Sequence, residues 1–83
     1  MSRRPPNTAL RRALGRAIQQ RRLAIGISQA ELAARCRAVK ATVGHMERGF
    51  RAPSLGMLAE MAWALNVEVW QLFKDASEMG EAT

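Results

Sequence analysis

The sequence predicts an all-α domain of five short helices. Three observations carry that expectation. Apolar residues recur at spacings of three and four along most of the chain, and no alternating run of useful strand length interrupts them. Glycine and proline fall between the periodic stretches, with Gly15, Gly44 and Gly56 as exceptions. A chain of 83 residues holds one modest core, enough for roughly four or five short helices. The expected division is a flexible basic arm over 1–7, one helical domain over 8–75 and a short polar tail over 76–83.

Charge is unevenly placed. Residues 1–51 carry twelve of the thirteen Lys and Arg and two of the seven acids, a balance of +10, whereas residues 52–83 carry Lys74 and five acids, a balance of −4. This points to a polyanion-binding surface beside one that does not bind polyanions. A merely arginine-rich chain is the plain alternative. The single Cys36 cannot form an intramolecular disulfide, and with one histidine there is no zinc-ligand cluster. No metal or cofactor is therefore expected. Nor is an enzyme, because the chain lacks the titratable groups of an active site. No apolar run approaches transmembrane length and no signal-peptide core follows Met1, so a cytoplasmic protein with no membrane partner is expected. The first 25 residues, with seven Arg and no acid, have the composition of a transit peptide. Against that reading, the helical pattern runs from them into the rest of the domain without a break.

The arm MSRRPPN contains Pro5 and Pro6, which exclude helix and favour an extended form. Arg3 and Arg4 there are either a solvated tail or contacts to phosphate or a minor groove. Helix 1 starts at Asn7 or Thr8, either being an acceptable N-cap. Its apolar row is Leu10, Leu14, Ile18 and Ile25, and Arg22 falls in the same row. A charge on an apolar stripe needs a partner, and Glu47, four residues past Val43 on the inward face of helix 3, supplies one. A largely buried Arg22–Glu47 structural ion pair is expected; the alternative has Arg22 snorkelling to water. Arg11, Arg12, Arg16 and Arg21 occupy the other faces, some within reach of phosphate.

Gly26 closes helix 1. Helix 2, SQAELAARC, opens on a capping box in which the Ser28 hydroxyl and the Glu31 carboxylate each satisfy a backbone N–H. Leu32, Ala33 and Cys36 face inward. Gln29 sits in the first turn, where its amide and the helix N–H groups can face a phosphate together. After a tight turn, helix 3 buries Val43 and Met46 and ends at Gly49. Its outward positions are Lys40, Ala41, Thr42, Gly44 and His45, with donors, a methyl and no acid. Such a face suits the major groove of DNA. Arg48 and Arg51 flank the following turn as natural phosphate contacts.

Ser54 is the N-cap of helix 4, which carries Leu55, Leu58, Met61, Ala62 and Leu65 on one face, and Asn66 takes a left-handed cap. Helix 5, EVWQLFKD, buries Val69, Leu72 and Phe73. Trp63 and Trp70 miss both inward stripes and, with Phe73, make one outward patch. Exposed aromatics in that number point to a homodimer interface through helices 4 and 5, unless a rearranged core takes them in.

These residues resemble the phage-repressor/Cro type of helix-turn-helix domain, the XRE-like family, over about residues 10–73. The resemblance rests on Arg22 ahead of Gly26, the run G-I-S-Q-A-E-L-A at 26–33, Glu47-Arg48-Gly49, Pro53-Ser54-Leu55, Ala62-x-Ala64-Leu65-x-Val67 and Leu72-Phe73. It implies five helices, with helices 2 and 3 as the DNA-reading pair and a recognition helix over about 39–48. Position by position, it implies Gln29 on phosphate and Lys40, Ala41 and His45 at base edges with Thr42 and Val39 nearby. Arg48, Phe50 and Arg51 would grip the backbone. It also implies a structural Arg22–Glu47 pair and homodimers on near-palindromic double-stranded DNA sites.

Three positions depart from the family pattern. Arg37 replaces the usual turn glycine, at a cost of roughly 1 kcal/mol if the backbone stays left-handed. Val39 replaces the usual Ser/Thr cap of helix 3, and Gly44 weakens that helix. The function implied is a small transcriptional regulator, a repressor or activator working through polymerase. The alternative is an antitoxin that neutralises a toxin partner and represses its own operon.

Overall fold

A computed structural model describes residues 7–81 and contains five helices: α1 Asn7–Ala24, α2 Gln29–Arg35, α3 Lys40–Glu47, α4 Leu55–Ala64 and α5 Val69–Glu81. The described residues contain no strand. The basic arm expected over 1–7, with Arg3 and Arg4, lies outside the described residues up to position 6, and Asn7 already belongs to α1.

One core joins all five helices. Leu14, Ala17 and Ile18 of α1 meet Leu32, Ala33 and Cys36 of the α2 segment, Val43 and Met46 of α3, Leu58, Met61 and Ala62 of α4, and Leu72 and Ala76 of α5. Helix α1 packs on both α3 and α5, α2 packs on α3 and α4, and α4 packs on α5. Burial pushes the Cys36 thiol pKa up, and the Glu60 carboxylate adds to the shift. The thiol stays protonated and behaves as a small apolar side chain.

The ends of the helices explain the sharp reversals. Helices α1, α2, α3 and α4 all close with the same motif, a left-handed residue followed by a backbone N–H that reaches five residues back. The left-handed residues are Gly26, Arg37, Gly49 and Asn66. The closing bonds run from Ile27 N to Arg22 O at 3.3 Å, Ala38 N to Ala33 O at 2.8 Å, Phe50 N to His45 O at 2.9 Å and Val67 N to Ala62 O at 2.9 Å. Arg37 keeps the left-handed turn (φ 57°) instead of remodelling it.

Two glycines let α1 approach the end of α3 backbone to backbone. A Cβ at Gly15 would fall 2.5 Å from the Glu47 carbonyl oxygen and closer still to that of Met46. A Cβ at Gly49 would fall 2.9 Å from Arg12 Cα. The Arg11 Nε donates to the Gly49 carbonyl at 3.3 Å across the same seam.

Several expectations from periodicity are corrected. Leu10, Ile25 and Leu55 are exposed, because each lies at a helix end or in a flanking turn where no neighbouring helix covers it. Phe73 is part-exposed rather than buried; Leu72 takes the inward position beside it. The capping box is half formed: Ser28 Oγ accepts from Glu31 N at 3.0 Å, but the Glu31 carboxylate turns to Arg35 at 2.9 Å. Helix 5 does not end at Asp75. Ala76 is buried and Met79 packs on the core, so the expected polar tail continues as helix as far as Glu81.

Candidate nucleic-acid interface

Helix α3 is the short helix that this fold leaves open on one side. Its inward residues Val43, Met46 and Glu47 are buried. Lys40, Ala41, His45 and Arg48 are exposed, Thr42 is half-buried, and Val39 is exposed at the N-cap. Val39 has extended geometry (φ −103°, ψ 156°) and no side-chain capping bond, so α3 begins at Lys40. The first-turn N–H groups of α3 therefore lack a protein side-chain acceptor, and no acid lies in that turn. The exposed face offers cations, free backbone donors and methyl groups.

Gly44 corrects the outward set. It is buried although it lies on the face turned away from the core. The cover is made of side chains: a Cβ at Gly44 would lie 3.5 Å from one terminal nitrogen of Arg48, 3.7 Å from the other, and 3.7 Å from Gln29 Nε2. Arg48 thus folds back along α3 instead of pointing away from its end. The Phe50 ring, 70% exposed, sits under the same guanidinium with 5.3 Å from Cζ to the ring centroid. The His45 ring lies 6.4 Å from Phe50, centroid to centroid. Arg51 is exposed in the loop beyond.

A buried polar network fixes α3 from behind. Arg22 Nε donates to Glu47 Oε2 at 2.7 Å and a terminal nitrogen donates to Oε1 at 3.1 Å, a two-pronged pair with side chains 8% and 1% exposed. The other terminal nitrogen of Arg22 donates to the Ile27 carbonyl at 2.9 Å. Gln29 Nε2 donates to Glu47 Oε1 at 2.9 Å. An amide NH2 has two donors, so Gln29 keeps one N–H for a ligand while Glu47 holds its position. No described, buried side-chain polar atom lacks a partner.

Reading the sequence alone missed three connections. Gln29–Glu47 and Arg48 over Gly44 join residues of adjacent elements, and the glycine at 44 was the available signal for the second. Arg21 is not free for phosphate: it makes a two-pronged pair with Asp75 of α5 at 2.7 and 3.2 Å. Those residues are far apart in sequence and nothing in the pattern links them. Trp63 is 79% exposed on α4 and Trp70 61% exposed on α5, with Phe73 one turn beyond Trp70. Among the described residues no cluster of metal-ligating side chains occurs, and no helix is long and apolar enough to cross a membrane.

A family model described as helix-turn-helix matches residues 18–69, which include all of α2, α3 and α4. Among solved structures, the clp gene regulator ClgR from C. glutamicum is 30% identical, with a TM-score of 0.82, covering 92% of this chain and 95% of that one. The restriction-modification controller protein C.AhdI from Aeromonas hydrophila is 34% identical, with a TM-score of 0.72 and coverage of 74% and 92%. The hypothetical transcription factor NHTF from Neisseria is 29% identical, with a TM-score of 0.78 and coverage of 100% and 95%. No curated protein matches the chain. The helix-turn-helix match spans more than half of the sequence and brackets the exposed α3, and the protein belongs to the XRE-like, phage-repressor/Cro-type family of helix-turn-helix DNA-binding transcriptional regulators.

Proposed function

We propose that the protein is a homodimeric regulator that occupies a near-palindromic operator and places α3 in the major groove of each half-site. The observation that carries this reading is the exposed, acid-free face of α3, backed by the Arg22–Glu47–Gln29 network that fixes its orientation. Lys40, Ala41 and His45 reach base edges, with Val39 and Thr42 beside them. The free N–H of Gln29 and the guanidinium of Arg51 meet phosphates on either side. Arg48 belongs to the same contact face. Homodimerisation runs through Trp63, Trp70 and Phe73, whose exposure on α4 and α5 lies apart from α3. Half-sites then repeat about one helical turn apart. The protein acts in the cytoplasm, on the nucleoid.

Selection of bound sequences from a random duplex pool tests the reading. The expected result is a two-fold consensus with that spacing, and an affinity that falls steeply with salt. A pool that returns no consensus, or a binding constant flat in salt, ends the operator reading.

A further inference from the structure

We infer that Arg48 reads a guanine in the major groove and is not one of the phosphate contacts. This inference rests on the operator reading above. Three observations carry it. The Arg48 guanidinium lies over Gly44, at the centre of the exposed face of α3, because the glycine leaves that place empty. The group therefore stands where a side chain from position 44 would otherwise project. The Phe50 ring lies under it at 5.3 Å, and among the described residues no acceptor or carboxylate takes its N–H groups. A guanidinium set over an aromatic ring and bound to no acceptor keeps its N–H donors available to a ligand. The forked edge matches the O6 and N7 acceptors of guanine, the commonest specific side-chain contact in the major groove.

Phe50 shows the same arrangement from the other side. The corresponding apolar residues that follow the other left-handed caps fold inward: Ile27 is buried, and Ala38 and Val67 pack against the core. Phe50 closes its helix with the same backbone bond but stays 70% exposed beneath Arg48. It is a positioning residue: its ring lies against the guanidinium that covers Gly44. Gln29, pinned by Glu47, forms the opposite wall.

The test repeats the pool selection with the full chain as wild type, Arg48→Ala and Phe50→Ala. All three are expected to melt at the same temperature, since both side chains are exposed. In the wild-type consensus, one guanine per half-site is expected to lose its preference in Arg48→Ala while every other position holds. Discrimination against adenine at that position should fall about 10-fold or more. Phe50→Ala should weaken the same position and no other. An unchanged consensus in Arg48→Ala, with consensus and random duplex weakened equally and a salt slope reduced by about one, makes Arg48 a phosphate contact and overturns the inference. That outcome leaves the operator reading standing. A wild-type pool without consensus overturns both.

Discussion

Arg22 and Glu47 show how far a single residue can be read. Arg22 falls in the apolar row of α1, and a charge in such a row demands a partner; Glu47 sits on the matching face of α3. The two meet at 2.7 Å with almost no solvent access. What the sequence does not carry is the rest of the network. Ile27 O and the Gln29 amide enter only because the left-handed Gly26 swings the start of α2 against Glu47. Removing one partner leaves a buried charge with no counter-charge. Arg22→Met alone, or Glu47→Leu alone, is expected to cost about 3–5 kcal/mol, while the double substitution costs less than either. Urea unfolding of the four chains checks this. Equal or additive losses would mean that the pair is solvated and the burial irrelevant.

At the scale of elements, the helices were legible where periodicity is strong and their ends less so. Four cap motifs terminate α1 to α4, three of them at Gly26, Gly49 and Asn66, residues that favour the left-handed conformation. The fourth, Arg37, pays the steric penalty because the closing bond from Ala38 to Ala33 fixes the turn before α3. The length of α5 escaped notice because its last turns are polar in composition. Leu72, Ala76 and Met79 nonetheless keep the spacing of four and three that marks an inward stripe. The reading face was legible as a set of exposed cations and methyls, but not at Gly44, where exposure depends on where Arg48 lies.

Propensity alone treats the two interior glycines Gly15 and Gly44 alike, since alanine stabilises a helix over glycine by roughly 0.5–1 kcal/mol. The packing separates them. At Gly44 a methyl meets the ends of two flexible side chains at ordinary contact distance, so Gly44→Ala should raise stability by about that amount. At Gly15 a methyl would strike the backbone carbonyls that end α3, which cannot step aside. Gly15→Ala should therefore destabilise by about 1–3 kcal/mol. Thermal melts of both variants decide the matter, and a shift of the same sign at both would show that α1 and α3 do not approach as closely as described.

The whole molecule is polarised in charge and in surface chemistry, and the fold gives that polarity a geometry. Helix α3 packs on α1 and α2, within the part of the chain that holds nearly all the Arg; α4 and α5 carry most of the acids and the exposed tryptophans. The Arg21–Asp75 pair engages one of the basic residues of the N-terminal half and ties α5 to α1. A second copy joined through α4 and α5 would bring two acidic, aromatic surfaces together and leave both α3 faces free. Such an interface would be held by the aromatic area of Trp63, Trp70 and Phe73, since the acids on both sides repel. A new carboxylate at its centre should then act strongly. Trp63→Glu or Trp70→Glu is expected to shift the protein from dimer to monomer by light scattering with its melting transition retained, because neither indole is part of the core. The monomer should bind one half-site with a salt slope about half that of the parent on the full site, each protomer contributing its own set of phosphate contacts. A variant that stays dimeric would place the interface elsewhere, and one that turns monomeric yet keeps full affinity for the two-fold site would separate dimerisation from operator binding.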